Sequence, residues 1–430
     1  MKRNFYAIIF SVLTLASAFF AGGCGEEDAG ELTLPAEIAD SKPAPVPQKI
    51  STDVYFDATV SMQGYTTLSA GNVYRTLPDL LSDIGGSMGE VTFYSFGENI
   101  SRIDGRDYRR FSSPDPYTEI ITAVHNVIDK SDAAHLSIIV TDLFESDADW
   151  SNIAQKIREK YFAHHLAVAV IGIKNSFNGD IFDVGLNAAS FRYDSNAAPE
   201  RFRPFYLLIL GHEETILDFM YKFRERQSLP NETQYLLLSE NLTTTTSDFS
   251  KMNLLEMENF FADSKFNLDE TNAREFGLDK FTEPATFSVQ FDYNAPLGAC
   301  PLNMNELDSS AKVSALEEGE WTPLSRNDVQ ITMTPAEGSS YVVKIELTPE
   351  KSLREDKINF VQASIAPTAR GYLLPDWVSR WNMANVDVAP ENFDGSKTIN
   401  LIHVLGSLKD SVFATTHPAL INLNFLIDAR

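Results

Sequence analysis

Short, nearly continuous apolar runs separated by helical patterns restrict what the first half of this chain can become more than any other feature. Val54-Tyr55-Phe56, the strand-like stretch at residues 91–96, Leu136 to Val140, Leu166 to Ile173 and Phe205 to Leu210 are apolar at nearly every position, Thr92, Ser95 and Ser137 apart, without the strict polar alternation of a strand with one wet face. Runs of that kind read as strands covered on both sides. Between them lie amphipathic patterns at residues 73–84, 150–161 and 213–224, the last with Ile216, Phe219, Met220 and Phe223 on one side. The alternation predicts an α/β fold with a doubly wound, mostly parallel sheet. Residues 176–203 break the pattern, and Phe191-Arg192-Tyr193 points to an inserted hairpin.

In such a sheet ligands bind beyond the carboxyl ends of the strands, in the crevice where strand order reverses. Two of the runs end there on an acid: Asp57 closes the first, and Asp142 closes Leu136-Ser137-Ile138-Ile139-Val140-Thr141. Asp57-Ala58-Thr59-Val60-Ser61 adds two hydroxyls at alternate positions, so one turn offers a carboxylate and two neutral oxygens to a hard divalent cation. A third hydroxyl, Thr118, opens a helical pattern carrying Ile121, Val124 and Ile128, with Asp115-Pro116 as start signals. A polar turn after a strand explains the pentapeptide alone. Five oxygen donors from three segments, in this order, favour a metal site.

The set resembles the metal-ion-dependent adhesion site of von Willebrand factor A domains, in which an Asp-x-Ser-x-Ser segment follows the first strand, a threonine precedes a helix and a Thr-Asp pair follows the fourth strand. Asp57, Thr59, Ser61, Thr118 and Asp142 take those positions, over somewhat less than half of the chain. The resemblance implies a Rossmann-like fold, a Mg2+ ion (or Mn2+ or Ca2+) and a partner protein that donates an Asp or Glu carboxylate, with no catalytic turnover. Two departures stand out. Leu143 replaces the glycine that commonly follows the Thr-Asp pair, and Ser112-Ser113-Pro114-Asp115 replaces a glycine-rich lead. A haloacid-dehalogenase-like phosphatase also ends its first strand on an aspartate, but needs a second acid where Thr59 stands.

The N-terminus resembles a bacterial lipoprotein signal: Lys2-Arg3, an apolar run from Phe5, then Ala21-Gly22-Gly23-Cys24. It implies cleavage after residues 1–23 and lipid on Cys24. The expected address is the cell envelope, anchored by palmitate-type lipid to the outer membrane. Residues 24–48, rich in Pro, Ala, Glu and Asp, read as a disordered tether. Loss of Lys2 and Arg3 takes the net charge from −25 to −27, which argues against nucleic acid as a partner. Only Cys300 then remains as a free thiol, so packed cores must supply the stability.

Residues 49–242 form the α/β domain in this reading. From residue 243 to 430 the pattern changes to short alternating runs at residues 285–293, 328–334, 341–348 and 357–366, which predict a mainly β, sandwich-like domain. A helical pattern at 401–412 and a last strand at 420–427 close the chain. Trp377 and Trp381, four apart, read as core. The function expected is a membrane-tethered, metal-dependent protein-binding module in adhesion or envelope assembly. The alternative is a structural scaffold with a vestigial metal site that binds through its β domain.

Overall fold

The computed structural model describes residue 35 and residues 49–430, except 70–71, 144–146, 185–188, 227–231, 245–248, 264, 267, 269–270, 326 and 385–392. The signal segment, Cys24 and nearly all of the tether therefore lie outside the described residues. Among the described residues no helix is long and apolar enough to cross a membrane.

The first half is built on a seven-stranded sheet of β1 (Thr52–Asp57), β2 (Val91–Phe96), β3 (Ile100–Ile103), β4 (Leu136–Thr141), β5 (Ala167–Asn175), β8 (Arg203–Gly211) and β9 (Thr233–Leu238), with β6 (Asn178–Val184) and β7 (Ala189–Asp194) as a separate hairpin. The order is β3-β2-β1-β4-β8-β5-β9. Parallel pairing joins β2 to β1 and β1 to β4. The sheet is mixed rather than mostly parallel, because β8 inserts between β4 and β5 antiparallel to both, and β3 and β9 also run against their neighbours. The chain passes from β5 to β8 through the hairpin, without a crossover helix, and a connection of that kind returns the strand reversed. An apolar run looks the same in either direction.

Successive residues of each strand feed two different cores. Val54 and Phe56 pack with helix α1 (Leu77–Met88) and with Ile216, Phe219 and Phe223, whereas Tyr55 faces Val124, Val127 and Ile128 of α2 (Val124–Lys130) and Trp150, Ile153 and Ile157 of α3 (Asp147–Lys160). The first group comes partly from α4 (Glu213–Arg226). Helices thus cover both faces, which is why the strands tolerate no polar alternation.

The second half holds two further sheets. One contains β10 (Asn253–Glu258), β13 (Ala285–Asp292), β16 (Val329–Pro335) and β17 (Ser340–Leu347) in the order β10-β13-β17-β16. The other contains β11 (Phe260–Ala262), β12 (Ala273–Leu278), β14 (Leu307–Glu317), β15 (Glu320–Pro323), β18 (Ile358–Pro367) and the last strand, Ile421–Asp428, which sits between β12 and β18. The rings of Phe276 and Phe287, one from each sheet, stack at 4.9 Å, and Phe425 of the last strand meets Phe287 edge-on at 5.1 Å. These rings fasten the sheets face to face.

The closing residues do more than finish this pair of sheets. Helices α5 (Asp376–Trp381) and α6 (Leu401–Thr416) return to the first half. Leu401, Val404, Leu405 and Leu408 of α6 share one buried cluster with Trp150 and Ile153 of α3. Trp377 and Trp381 are buried, and a side chain on Gly172 of β5 would meet the Trp381 ring at 2.8 Å. One apolar core consequently runs from the seven-stranded sheet through α6 into the β sheets.

Candidate functional site

Strand β1 sits where the chain goes first to β2 on one side and later to β4 on the other, so the carboxyl ends of β1 and β4 flank a reversal of strand order. Asp57 ends β1 there, fully buried. Its Oδ1 accepts from the Thr59 amide at 3.0 Å and from Thr59 Oγ1 at 2.7 Å, a local turn that aspartate favours because its short side chain reaches its own backbone two residues on. Ser61 Oγ lies 3.1 Å from Thr59 Oγ1, on the 3-10 turn Val60–Thr66. From β4, Thr141 Oγ1 donates to Asp57 Oδ2 at 3.0 Å.

The third segment differs from the sequence expectation. Helix α2 begins at Val124 rather than near Asp115, and Thr118 is exposed with no hydrogen bond to the Asp57 group. Tyr117 explains this: its ring is buried and its hydroxyl donates to Phe111 O at 2.7 Å, with Tyr74 Oη 2.9 Å away, so its neighbour Thr118 faces outward. The hydroxyl that reaches the acid belongs to Thr122, 3.4 Å from Asp57 Oδ2 and 3.4 Å from Thr59 Oγ1. The sequence carried the signal, since Thr122 immediately precedes Ala123-Val124 and stands two residues before the helix. Choosing it required knowing where the helix starts.

Backbone bonds staple this segment to the first. Glu119 N–H donates to Ala58 O at 3.0 Å, and Val60 N–H donates to Glu119 O at 2.9 Å. Gly97 makes the approach possible, because a Cβ there would lie 2.4 Å from the Glu119 side chain.

Asp142 is buried beyond the end of β4. Burial first, and then the charge of Asp142, push the Asp57 carboxyl up to about 7, against the hydrogen bonds from Thr59 and Thr141 that favour its ionised form. Leu143 follows in the left-handed region at φ 57°, a conformation that costs a side-chain-bearing residue about 1 kcal/mol or more and that glycine would take freely. Its burial holds it there.

The hairpin forms a floor beneath the first segment. Phe177, just before β6, occupies the space that a Gly64 side chain would need, and Phe191 of β7 stacks on Phe393 at 4.6 Å. Buried Arg203 donates to Gly395 O at 3.2 Å and to Lys397 O at 3.0 Å, which ties the chain ahead of α6 to the start of β8.

The structure thus gathers Asp57, Thr59 and Ser61 with Thr122 and Thr141, sets Asp142 near enough for its charge to act on Asp57, and leaves Thr118 outside. Two acids and hydroxyl oxygens form a hard, oxygen-only donor set, which suits Mg2+, Mn2+ or Ca2+ rather than a metal that prefers sulfur or imidazole. Among the described residues no group of three His, Cys, Asp or Glu side chains is placed to hold a metal, so any cation here would depend on the hydroxyls. Of the sequence's other acids in this region, Glu145 lies outside the described residues. Comparison with protein-family models and with curated proteins gives no match.

Proposed function

We propose that this chain is a lipid-tethered, divalent-metal-dependent protein-binding module of the bacterial cell envelope, with a von Willebrand factor A-like domain as its binding unit. The observation that carries the reading is the meeting of Asp57, Thr59, Ser61 and Thr122 at the carboxyl end of β1, beside Asp142 from β4. Asp57, Thr59, Ser61, Thr122 and Asp142 would hold the ion. Bound there, a hard divalent cation supplies an open coordination position that favours a carboxylate oxygen from another molecule. The chain's own part is to hold the donors: the turn at Asp57 fixes Thr59, and the Glu119 staple fixes the loop that brings Thr122.

Thermal unfolding of the full chain in Mg2+ and in chelator tests the reading. Mg2+ at one hundred times its dissociation constant adds about 2.7 kcal/mol to the folded state. Asp57→Ala removes that rise, Thr122→Ala weakens Mg2+ affinity about tenfold, in keeping with the cost of losing a supporting oxygen, and Thr118→Ala leaves it unchanged. A full Mg2+ rise in Asp57→Ala would refute binding at this turn.

A second reading, in which the chain is a scaffold that binds through its β sheets, is favoured by one feature. Edge strand β10 exposes Leu255 and Met257.

A further inference from the structure

The inner, apolar face of the four-stranded sheet does not stop at its last covered strand. Met257 of β10 lies opposite Phe287 of β13, which lies opposite Ile345 of β17, and Leu254 lies opposite Val289. Phe287, Ile345 and Val289 are fully buried, whereas Met257 at the end of its row is 41% exposed. Leu255, the extra residue of a bulge between Leu254 and Glu256, is exposed at 44%. Beyond the bulge the ladder is regular from Glu256 to Glu258, and among the described residues no strand pairs with the other side of β10.

An edge strand leaves alternate backbone N–H and C=O groups unpaired, and folded chains guard such edges with proline, basic side chains, short length or a cover. The other edges of the three large sheets carry these guards. Strand β16 ends on Pro335, β15 has four residues and ends on Pro323, β11 has three residues, and β3 has four with Arg102 among them. Leu237 N–H of β9 donates to Gly298 O at 2.7 Å, so that edge is covered. Strand β10 runs for six residues with neither proline nor a basic residue, and its only charges are Glu256 and Glu258.

We propose that β10 takes an extended segment of a partner protein as an added strand, one in which aliphatic residues alternate with lysine or arginine. The inference deepens the scaffold reading above and is independent of the metal site. Side chains of a strand alternate between its faces, so the aliphatic residues of such a segment continue the row of Met257 while its cations stand against Glu256 and Glu258 on the other face. Neither acid forms an ion pair with another described residue. The base in the row of Glu256 is Lys344, two strands away beyond Ser288 and bonded to Glu346 at 3.0 Å. The same acids disfavour a second copy of the chain, since pairing β10 with β10 about a two-fold axis sets like charges against each other. A net charge of −25 likewise repels a second copy and attracts a basic segment.

The test follows, by fluorescence anisotropy with the full chain in chelator, the binding of three capped and labelled peptides: Lys-Val-Lys-Val-Lys-Val, Lys-Lys-Lys-Val-Val-Val and Glu-Val-Glu-Val-Glu-Val. Two analogues of the first, methylated at the lysine or at the valine backbone nitrogens, join them. The alternating basic peptide is expected to bind about tenfold more tightly than the basic peptide of the same composition, as matched cross-strand pairs allow, and the acidic peptide not to bind. At least one methylated analogue loses the binding, because strand addition is held by main-chain hydrogen bonds. The double variant Glu256→Lys, Glu258→Lys reverses the preference to the acidic peptide, a gain that an unfolded variant does not show. Equal affinity for the two basic peptides, full binding by both methylated analogues, or a double variant that still prefers the basic peptide overturns the added strand. Equal affinity that is nonetheless lost in Leu255→Lys, Met257→Lys overturns the strand while the scaffold reading at β10 stands. A wild-type chain that binds neither basic peptide overturns both. Sedimentation showing that the wild-type chain dimerises and that Leu255→Lys, Met257→Lys is monomeric makes a second copy the occupant and overturns the basic partner named here.

Discussion

In chelator at pH 8, the Asp57→Asn variant is expected to unfold at a higher temperature than the wild type, and the gap is expected to close as the pH is lowered to about 4. In the unfolded chain a carboxyl of this kind ionises near 4, and in the folded metal-free chain Asp57 is pushed up to about 7 by burial and by Asp142. Between those values the native state keeps a proton that the unfolded state has released, so stability falls as pH rises from about 4 to 7 and is level above. Three pH units correspond to a penalty on the order of 4 kcal/mol at pH 8. Asparagine removes the ionisation while keeping an oxygen to accept from Thr59. The comparison with this variant isolates Asp57 from Glu213 and Glu275, whose carboxyls burial also raises. A wild-type Tm in chelator that is flat from pH 5 to pH 8, or a slope that survives in Asp57→Asn, would show that the buried acid carries no such penalty. The same linkage makes Mg2+ binding weaken below pH 7, where the proton and the cation compete for one carboxylate.

Truncating Phe425 to Ala is expected to cost about 3–5 kcal/mol and to move the unfolding of the whole chain, the seven-stranded sheet included. Phe425 is buried in the last strand and packs against Phe287, Phe276 and Phe249 at ring distances of 5.1 to 6.2 Å. The cluster it belongs to extends through α6 to Trp150 of α3, which packs with the seven-stranded sheet, so the cavity is felt by both halves. The measurement is thermal unfolding followed by two probes, tryptophan fluorescence and far-ultraviolet circular dichroism. Two separate transitions, of which only one shifts in the variant, would show that the halves are energetically independent. A corollary is that removing residues 243–430 strips α6 from α3 and is no clean test of the first half.

The candidate site was legible in part, and the reasons divide residue by residue. Asp57, Thr59 and Ser61 lie within one turn, and short-range geometry follows from local sequence, so the hydrogen bonds among them could be expected before any fold was known. Thr118 and Thr122 are one helical turn apart and each precedes an apolar pattern, so local signals do not rank them. Burial of the Tyr117 ring decided it, and that depends on Phe111 and Tyr74, which are distant in the chain or in a different element. Thr141 was read as half of a Thr-Asp pair, yet its hydroxyl bonds Asp57 directly, a contact made by the pairing of β4 with β1.

By itself the sequence determined that strands alternate with helices in the first half, that two of them end on acids, that residues 176–203 hold a hairpin and that short strands fill most of the second half. Each of those follows from periodicity and from residues a few positions apart. Only the tertiary structure decided that β8 runs antiparallel between β4 and β5, that Thr122 replaces Thr118 beside Asp57, and that the last helix and strand divide themselves between the two halves. Strand direction, neighbour order and the choice of burial partner are set by side chains far apart in the chain competing for the same space, and a pattern of apolar residues records only that each must be covered, never by what.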